Sequence, residues 1–229
     1  MSRRIIVAID GPGGAGKSTI ARRLASKLGF IYIDTGAMYR AVALWAMRQG
    51  VDLSDMLALE QLAIAAIIGL SADPPRVTLN DEDVSEAIRS PEISQAASRV
   101  SSVAGVRRAL VQKQRQIAEN SSVVMEGRDI GTVVFPNADV KIFLDADPEI
   151  RASRRLKELE TKAPSPSKEE VVRDLNERDQ RDRTRAESPL LQAPDAVYFD
   201  SSAHSIEEVE LGLLKLVRER TSNGKDYQR

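Results

Sequence analysis

Eight consecutive residues, Gly11-Pro12-Gly13-Gly14-Ala15-Gly16-Lys17-Ser18, carry the spacing G-x-x-x-x-G-K-[ST]. Glycine accepts backbone angles that other residues avoid, so such a segment can curl with successive N–H groups pointing inward at phosphate oxygens. The helix that begins where the curl ends adds the positive end of its dipole. Lys17 is then placed as a point charge for the β- and γ-phosphates of a nucleoside triphosphate, and the Ser18 hydroxyl as a ligand for Mg²⁺. The expected phosphate-binding set is Gly11, Pro12, Gly13, Gly14, Ala15, Gly16, Lys17, Ser18 and Thr19. A glycine-rich turn with a coincidental lysine is the bland alternative, and the flanks speak against it. Ile5-Ile6-Val7-Ala8-Ile9 precedes the loop as a buried strand would, and Ile20, Leu24 and Leu28 follow at helical spacing. The motif says triphosphate and magnesium, but not which class of nucleotide-binding protein.

Three classes stay open on the motif alone: a kinase of small molecules, a motor or switch NTPase, and a triphosphate-binding regulator that does not turn over. A switch GTPase needs a guanine-reading motif such as N-K-x-D, and the sequence has none. A motor usually carries an apolar strand ending in a catalytic acidic pair, and often takes an arginine from a neighbour. Here Val123-Val124-Met125 runs into Glu126-Gly127-Arg128-Asp129, which places an arginine inside the site of the same chain. Glu126 is a candidate for assisting Mg²⁺ through water. A kinase must also exclude water as a competing acceptor, which calls for mobile flaps bearing arginines. Two segments fit that need: residues 50–92, and the Pro/Ser loop 162–167, flanked by Arg151, Arg154 and Arg155. Any one of these arginines alone reads as part of a solvated helix face; their joint position beside a loop points to a lid.

These residues need a scaffold, and the apolar patterning supplies one. Short buried strands are expected over 4–10, 30–33, 122–126, 139–145 and 197–200, with helices over 17–28, 37–48, 147–160 and 206–220. Pro91 opens further helical sequence to about residue 120, broken near Ala104-Gly105. Ser167 with Glu170, and Ser205 with Glu208, have capping-box spacing. In the middle section a helix is expected over 55–70, followed by short strands at 76–80 and Val84 around the turn Asn80-Asp81-Glu82-Asp83. Strands alternating with helices predict an α/β fold, a central five-stranded, mostly parallel sheet with helices on both faces and ligands at the carboxyl ends of the strands. The expected division is a core of 1–49 and 93–220, an inserted flap at 50–92, a short lid at 151–168 and a mobile tail at 221–229.

Composition narrows the partners. Formal net charge is −1, so no bulk field draws the chain to nucleic acid or to an anionic membrane. The absence of cysteine removes disulfides and thiolate chemistry. The apolar run before Asp10 is too short for a signal peptide or a membrane span, so a cytoplasmic protein is expected.

Several longer motifs go beyond the phosphate loop: Asp34-Thr35-Gly36-Ala37-Met38-Tyr39-Arg40, the run Glu126–Pro136 that reads EGRDIGTVVFP, Lys141-Ile142-Phe143-Leu144-Asp145-Ala146, and Glu177-Arg178-Asp179-Gln180-Arg181-Asp182-Arg183. Together with the loop they resemble the bacterial cytidylate kinases, from about residue 5 to 217. That resemblance implies a P-loop nucleoside monophosphate kinase fold with an inserted acceptor-binding flap. It also implies ATP with Mg²⁺ as donor, and phosphorylation of CMP and dCMP by a monomer that uses neither a nucleic-acid polymer nor a membrane.

It implies site residues as well. Arg40 and Arg128 match arginines that hold the monophosphate, Arg178 and Asp182 match sugar contacts, and Arg185 matches a base contact. Ser98 and Arg107 match further sugar and base contacts, while Thr35 stands where a Ser or Thr approaches the base. Arg181 adjoins the stripe formed by Arg178, Asp182 and Arg185 at helical spacing, which read alone is equally an ion-pair ladder on a solvated face. Asp129 has the sharpest chemistry: a carboxylate accepts from the N4 amino group of cytosine and faces only a lone pair in uracil. The expected catalytic set is Lys17, Arg128, Arg154 and Arg155, which neutralise charge on the transferred group. His204, the single histidine, reads as a solvated residue ahead of the last helix, and Trp45 and Met47 as packing.

Overall fold

The computed structural model describes residues 3–72, 75–160 and 167–222. The chain opens with β1 (Ile6–Asp10), the phosphate-loop segment and α1 (Lys17–Leu28), followed by β2 (Ile31–Asp34) and α2 (Thr35–Arg48). Asp34 caps α2, its carboxylate accepting from the Ala37 N–H at 2.9 Å. The middle section holds α3 (Met56–Ala65), β3 (Ile68–Ala72), β4 (Pro75–Leu79) and β5 (Glu82–Asp83). Then come α4 (Pro91–Val100), α5 (Ala104–Ile117), β6 (Val123–Gly127), one π-type helical turn at Ile130–Val134, and β7 (Val140–Asp145). The chain ends with α6 (Pro148–Glu160), α7 (Lys168–Thr184), β8 (Val197–Asp200) and α8 (Ile206–Ser222).

The central sheet has five strands in the order β2-β6-β1-β7-β8, and every pairing is parallel. Strand alternation divides its side chains between two cores. Val7, Ile9, Val124, Ile142 and Leu144 pack with α1 and α8, while Ile6, Ala8, Ile33, Val123 and Met125 pack with Val111 and Ile130 on the other face. Register brings the strand ends level: Asp10 lies opposite Gly127, and Asp34 opposite Glu126. The sequence-predicted ligand groups therefore meet at one edge of the sheet.

Residues 50–92 do not pack as a separate body. Leu59, Ala63, Leu79, Val84 and Ile88 share one apolar cluster with α2, α4 and α5. The helix expected over 55–70 stops at Ala65, and Ile68–Ala72 forms a strand instead. Ala66 turns to an extended conformation (φ −60°, ψ 122°), after which Ile68 pairs with Leu79 and Leu70 with Val77 in an antiparallel ladder. The expected turn is present, with Asn80 and Asp81 both at positive φ.

Both capping boxes form, Ser167 with Glu170 and Ser205 with Glu208. The last helix outruns its expected end by two residues, Thr221 donating back to the Val217 carbonyl at 2.8 Å, so the segment taken as a tail begins inside α8. The rest of that tail, 223–229, and the lid loop at 161–166 lie outside the described residues. Among the described residues, no helix is long and apolar enough to cross a membrane.

Candidate active site

The phosphate loop is shaped by contacts that exclude side chains. A Cβ on Gly11 would stand 2.0 Å from the Leu144 carbonyl oxygen. Gly14 combines φ +75° with a Cβ position 2.7 Å from the Arg151 carbonyl oxygen, so both conformation and space demand glycine. Lys17 is buried, its Nζ donating to the Pro12 carbonyl at 2.6 Å. Burial first, then the neighbouring Arg128 charge, pulls its pKa down to about 7 against the opposing pull of Glu126. Glu126, at the end of β6, accepts from the Tyr32 hydroxyl at 2.6 Å. Burial and the nearby Asp34 hold its pKa above the usual carboxylate range, while Ser18 favours its ionised form.

The loop is braced from α6 and α7. Arg151 donates to the Gly13 carbonyl at 3.0 Å and pairs with Asp179 at 2.6 Å, while the Gly13 N–H donates to Asp179 at 3.4 Å. Arg151 thus serves as a buried strut under the loop, although sequence placed it beside the lid. Asp179 was not picked out by sequence reasoning; its only signal was its place within a run of alternating charges.

Across the loop, arginines crowd one another. The Arg178 pKa is drawn down to about 10, by burial first and then by Arg128, with Arg40 and Arg155 adding to the effect. Arg40 pairs with Asp34 at 2.9 Å, and Arg128 donates to Asp182 at 2.9 Å. A cavity of about 150 Å³ lies between this cluster and Lys17 and Ser18. Cations gathered around an open space, with their charge only partly answered, are the signature of a polyanion site.

A second, narrower cavity continues from the first, the two sharing Gly36, Gly127, Arg128 and Arg178. Here the charges alternate along a buried chain. Arg107 donates to Asp129 through a short contact, Asp129 Oδ1 faces Arg185 at 4.0 Å, Arg185 lies 3.5 Å from Asp182, and Asp182 holds Arg128. Burial alone would push the Asp182 carboxyl upward, but Arg128, Arg178 and Arg185 hold it below the usual range. Among the described residues, four buried polar atoms of the residues lining this cavity find no hydrogen-bond partner: Tyr39 Oη, Ser98 Oγ, Arg107 Nε and Arg185 Nη2. Unsatisfied polar atoms converging on a cavity mark a place for a polar ligand. Thr35 also lines this cavity, its hydroxyl donating to the Glu126 carbonyl at 2.7 Å.

Thr35, Ser98, Arg107, Arg128, Asp129, Arg178, Asp182 and Arg185 therefore surround one cavity, drawn from five segments of the chain. Arg185 reaches it from beyond α7, as the extended residue that ends the helix (φ −61°, ψ 142°), and not as the last member of a helical stripe. Arg40 and Arg155 line the phosphate-side cavity with Gly13, Gly14, Gly16, Lys17, Ser18 and Thr19. Two of the expected arginines line neither cavity. Arg154 touches the phosphate loop at the Ala15 carbonyl (3.5 Å) but is held by the segment after β8, donating to the Ser201 hydroxyl and carbonyl at 2.9 and 2.8 Å. Arg181 turns back on its own helix, donating to the Glu177 carbonyl at 3.3 Å. His204 is exposed, next to Phe199 and Glu208.

A phosphate loop on the central strand of a parallel sheet, adjoining a second cavity lined by buried arginines and carboxylates of the same chain, is the arrangement of a P-loop kinase of small acceptors. The gluconokinase from Sinorhizobium meliloti 1021 shares this fold, with a TM-score of 0.51 at 15% identity over 96% of this chain and 97% of that one. The sequence profile of cytidylate kinase matches residues 7–219. The cytidylate kinase of Solibacter usitatus is 63% identical over 98% of this chain and 97% of the relative. That of Pelotomaculum thermopropionicum is 51% identical over 96% of each. The chain belongs to the cytidylate kinase family of nucleoside monophosphate kinases.

Proposed function

We propose that this chain transfers the γ-phosphoryl group of ATP to CMP and dCMP, giving ADP with CDP or dCDP. The carrying observation is the buried Arg107–Asp129–Arg185 group, whose orphaned polar atoms stand directly beside the arginine cluster. Asp129 Oδ1 lies beyond hydrogen-bond distance of Arg185, so it is open to accept from an amino group such as cytosine N4. The Arg107 and Arg185 guanidiniums can donate to the N3 and O2 acceptors of the same base edge. Uracil offers an oxygen in place of the amino group and leaves that carboxylate oxygen facing a lone pair.

The acceptor phosphate is a dianion and needs no strong base. Arg40, Arg128 and Arg178 hold it, and Arg178 with Asp182 holds the sugar, within reach of the triphosphate gripped by the loop amides and Lys17. The donor set fits magnesium, with the Ser18 hydroxyl at the loop and the Glu126 carboxylate behind it. Mg²⁺ bound there supplies charge neutralisation for the β- and γ-phosphates. As charge spreads over the transferred group, Lys17, Arg128 and Arg155 stabilise it. Arg154 joins them only if its bonds to Ser201 are exchanged on closure. Residues 50–92 serve as the acceptor-side flap and 151–168 as the lid. The enzyme acts as a monomer on free nucleotides in the cytoplasm.

ADP release measured with MgATP across CMP, dCMP, UMP, AMP, GMP and shikimate tests the proposal. CMP and dCMP should give the highest kcat/KM. Turnover with AMP or shikimate alone would replace the acceptor, and no acceptor-dependent turnover would replace the enzyme with a regulator.

A further inference from the structure

β1 ends on a buried carboxylate that the reaction itself does not use. Asp10 is 5% exposed, and both its oxygens are engaged: Oδ1 accepts from the Ile130 N–H at 2.8 Å, and Oδ2 from the Gly131 N–H at 2.7 Å. Those two amides directly follow Arg128 and Asp129 in the turn that leaves β6. The turn is irregular. Asp129 has φ −150° and ψ 24°, outside helix and strand values, and the next five residues form a single π-type turn. Inside it the Val133 and Val134 N–H groups both donate to the Asp129 carbonyl, and the Phe135 N–H to that of Ile130.

The slot around the carboxylate is fitted. A Cβ on Gly131 would stand 3.3 Å from Asp10 Oδ2 and 3.1 Å from the Lys141 side chain. Lys141 is itself tied to the Pro136 carbonyl and to Asp195. Burial pushes the Asp10 carboxyl up to about 6 against the pull of the two N–H groups, so near neutral pH the ionised form, with two acceptors, holds the turn.

A buried carboxylate is a costly way to end a strand unless its bonds accomplish something a neutral residue cannot. Gripping two successive amides fixes both the position and the tilt of a peptide, which one hydrogen bond does not. We infer that Asp10 is a positioning residue for acceptor recognition, its paired hydrogen bonds orienting the turn so that Asp129 faces the base and Arg128 the phosphate. It touches no substrate. The inference rests on the reading of Asp129 as the group that accepts from the cytosine amino group. It assigns a carboxylate at the root of the ATP loop to selectivity for the other substrate.

Asp10→Asn keeps the shape but replaces one acceptor by an amide N–H that opposes a backbone N–H. The experiment measures kcat and KM for MgATP, CMP and UMP in Asp10→Asn, Gly131→Ala and Asp129→Ala, with folding checked by thermal unfolding. Gly131→Ala crowds the same carboxylate from the opposite side. The expected result for Asp10→Asn is a fall of about tenfold or more in the ratio of CMP to UMP kcat/KM, with the MgATP KM within about twofold, since bonds to a charged acceptor have this weight. Gly131→Ala should move the ratio the same way by a smaller factor. A support that merely stiffened the sheet would not change that ratio.

An unchanged ratio in Asp10→Asn alongside a collapsed ratio in Asp129→Ala overturns the inference and leaves the Asp129 reading intact. An unchanged ratio in both overturns both. A raised MgATP KM with CMP kinetics intact also overturns it, because Asp10 would then be bracing the phosphate loop. Should Asp10→Asn not fold, Gly131→Ala decides by the same criterion.

Discussion

The phosphate loop and the acceptor pocket share a wall yet are built on opposite plans. The loop is eight consecutive residues that offer backbone amides, and beside it burial first, then neighbouring arginine charge, depresses the pKa of Lys17 and Arg178. The pocket is assembled from five distant segments, presents side chains, and has its charges paired in advance from Arg107 through to Arg128. Unanswered positive charge draws any polyanion, which suits a triphosphate tail common to many nucleotides. A prepaired network with a few orphaned polar atoms accepts only a ligand that fits those atoms, which suits a base that must be told from its analogues. Arg128 belongs to both, lining each cavity.

That contrast can be broken first at Arg128. Arg128→Ala should lower kcat by about 10²- to 10³-fold while the MgATP KM stays within about threefold; an equal loss in ATP binding would assign this arginine to the loop. Next, Asp129→Ala should cut the CMP-over-UMP preference by something on the order of 10²-fold, read as a ratio of kcat/KM. Stability separates the two regions further. Gly14→Ala should cost about 1–3 kcal/mol in urea unfolding, through its positive φ and the clash with the Arg151 carbonyl. Ser98→Ala, which removes a hydroxyl without a protein partner, should leave stability within about 0.5 kcal/mol and raise the CMP KM several-fold.

The smallest effect concerns protons. Lys17 in the free protein titrates near 7 against an ordinary 10.5, so the unfolded chain holds a proton that the folded one lacks between those values. From this group, stability therefore rises with pH across that window. If MgATP binding restores the ammonium, calorimetry at pH 8.5 in buffers of differing ionisation heat should record uptake of close to one proton. Release of protons instead would remove Lys17 as its source.

The two regions also differed in how far they could be read beforehand. The phosphate loop and its flanking strand and helix were legible because the motif, the apolar run and the helical spacing are all local. Apart from Arg128, which the end of an apolar strand already placed in the site, the pocket residues were reached only through resemblance to a family, because the spacing of Arg178, Asp182 and Arg185 fits a solvated ladder equally well. Two arginines four residues apart on α6 show the limit: Arg151 is sealed beneath Gly13 and Arg155 faces the cavity, and nothing in their neighbours separates them. The first three residues of the strand at Ile68–Ala72 were read as helix because an apolar run at the end of a helical pattern has no period of its own. The Thr78 side chain that occupies the space above Gly69 becomes a neighbour only once the ladder forms.

By itself the sequence determined the curl of the phosphate loop and the alternation of strands and helices, since these rest on glycine's conformational freedom and on the spacing of apolar residues along a continuous stretch. Tertiary structure alone decided which carboxylate meets which guanidinium: Asp129 with Arg107, Asp182 with Arg128, and Asp10 with the backbone of its neighbouring strand's turn. Charges of opposite sign attract without regard to position in the chain, so only the sheet, by levelling its strand ends, selects among the pairs.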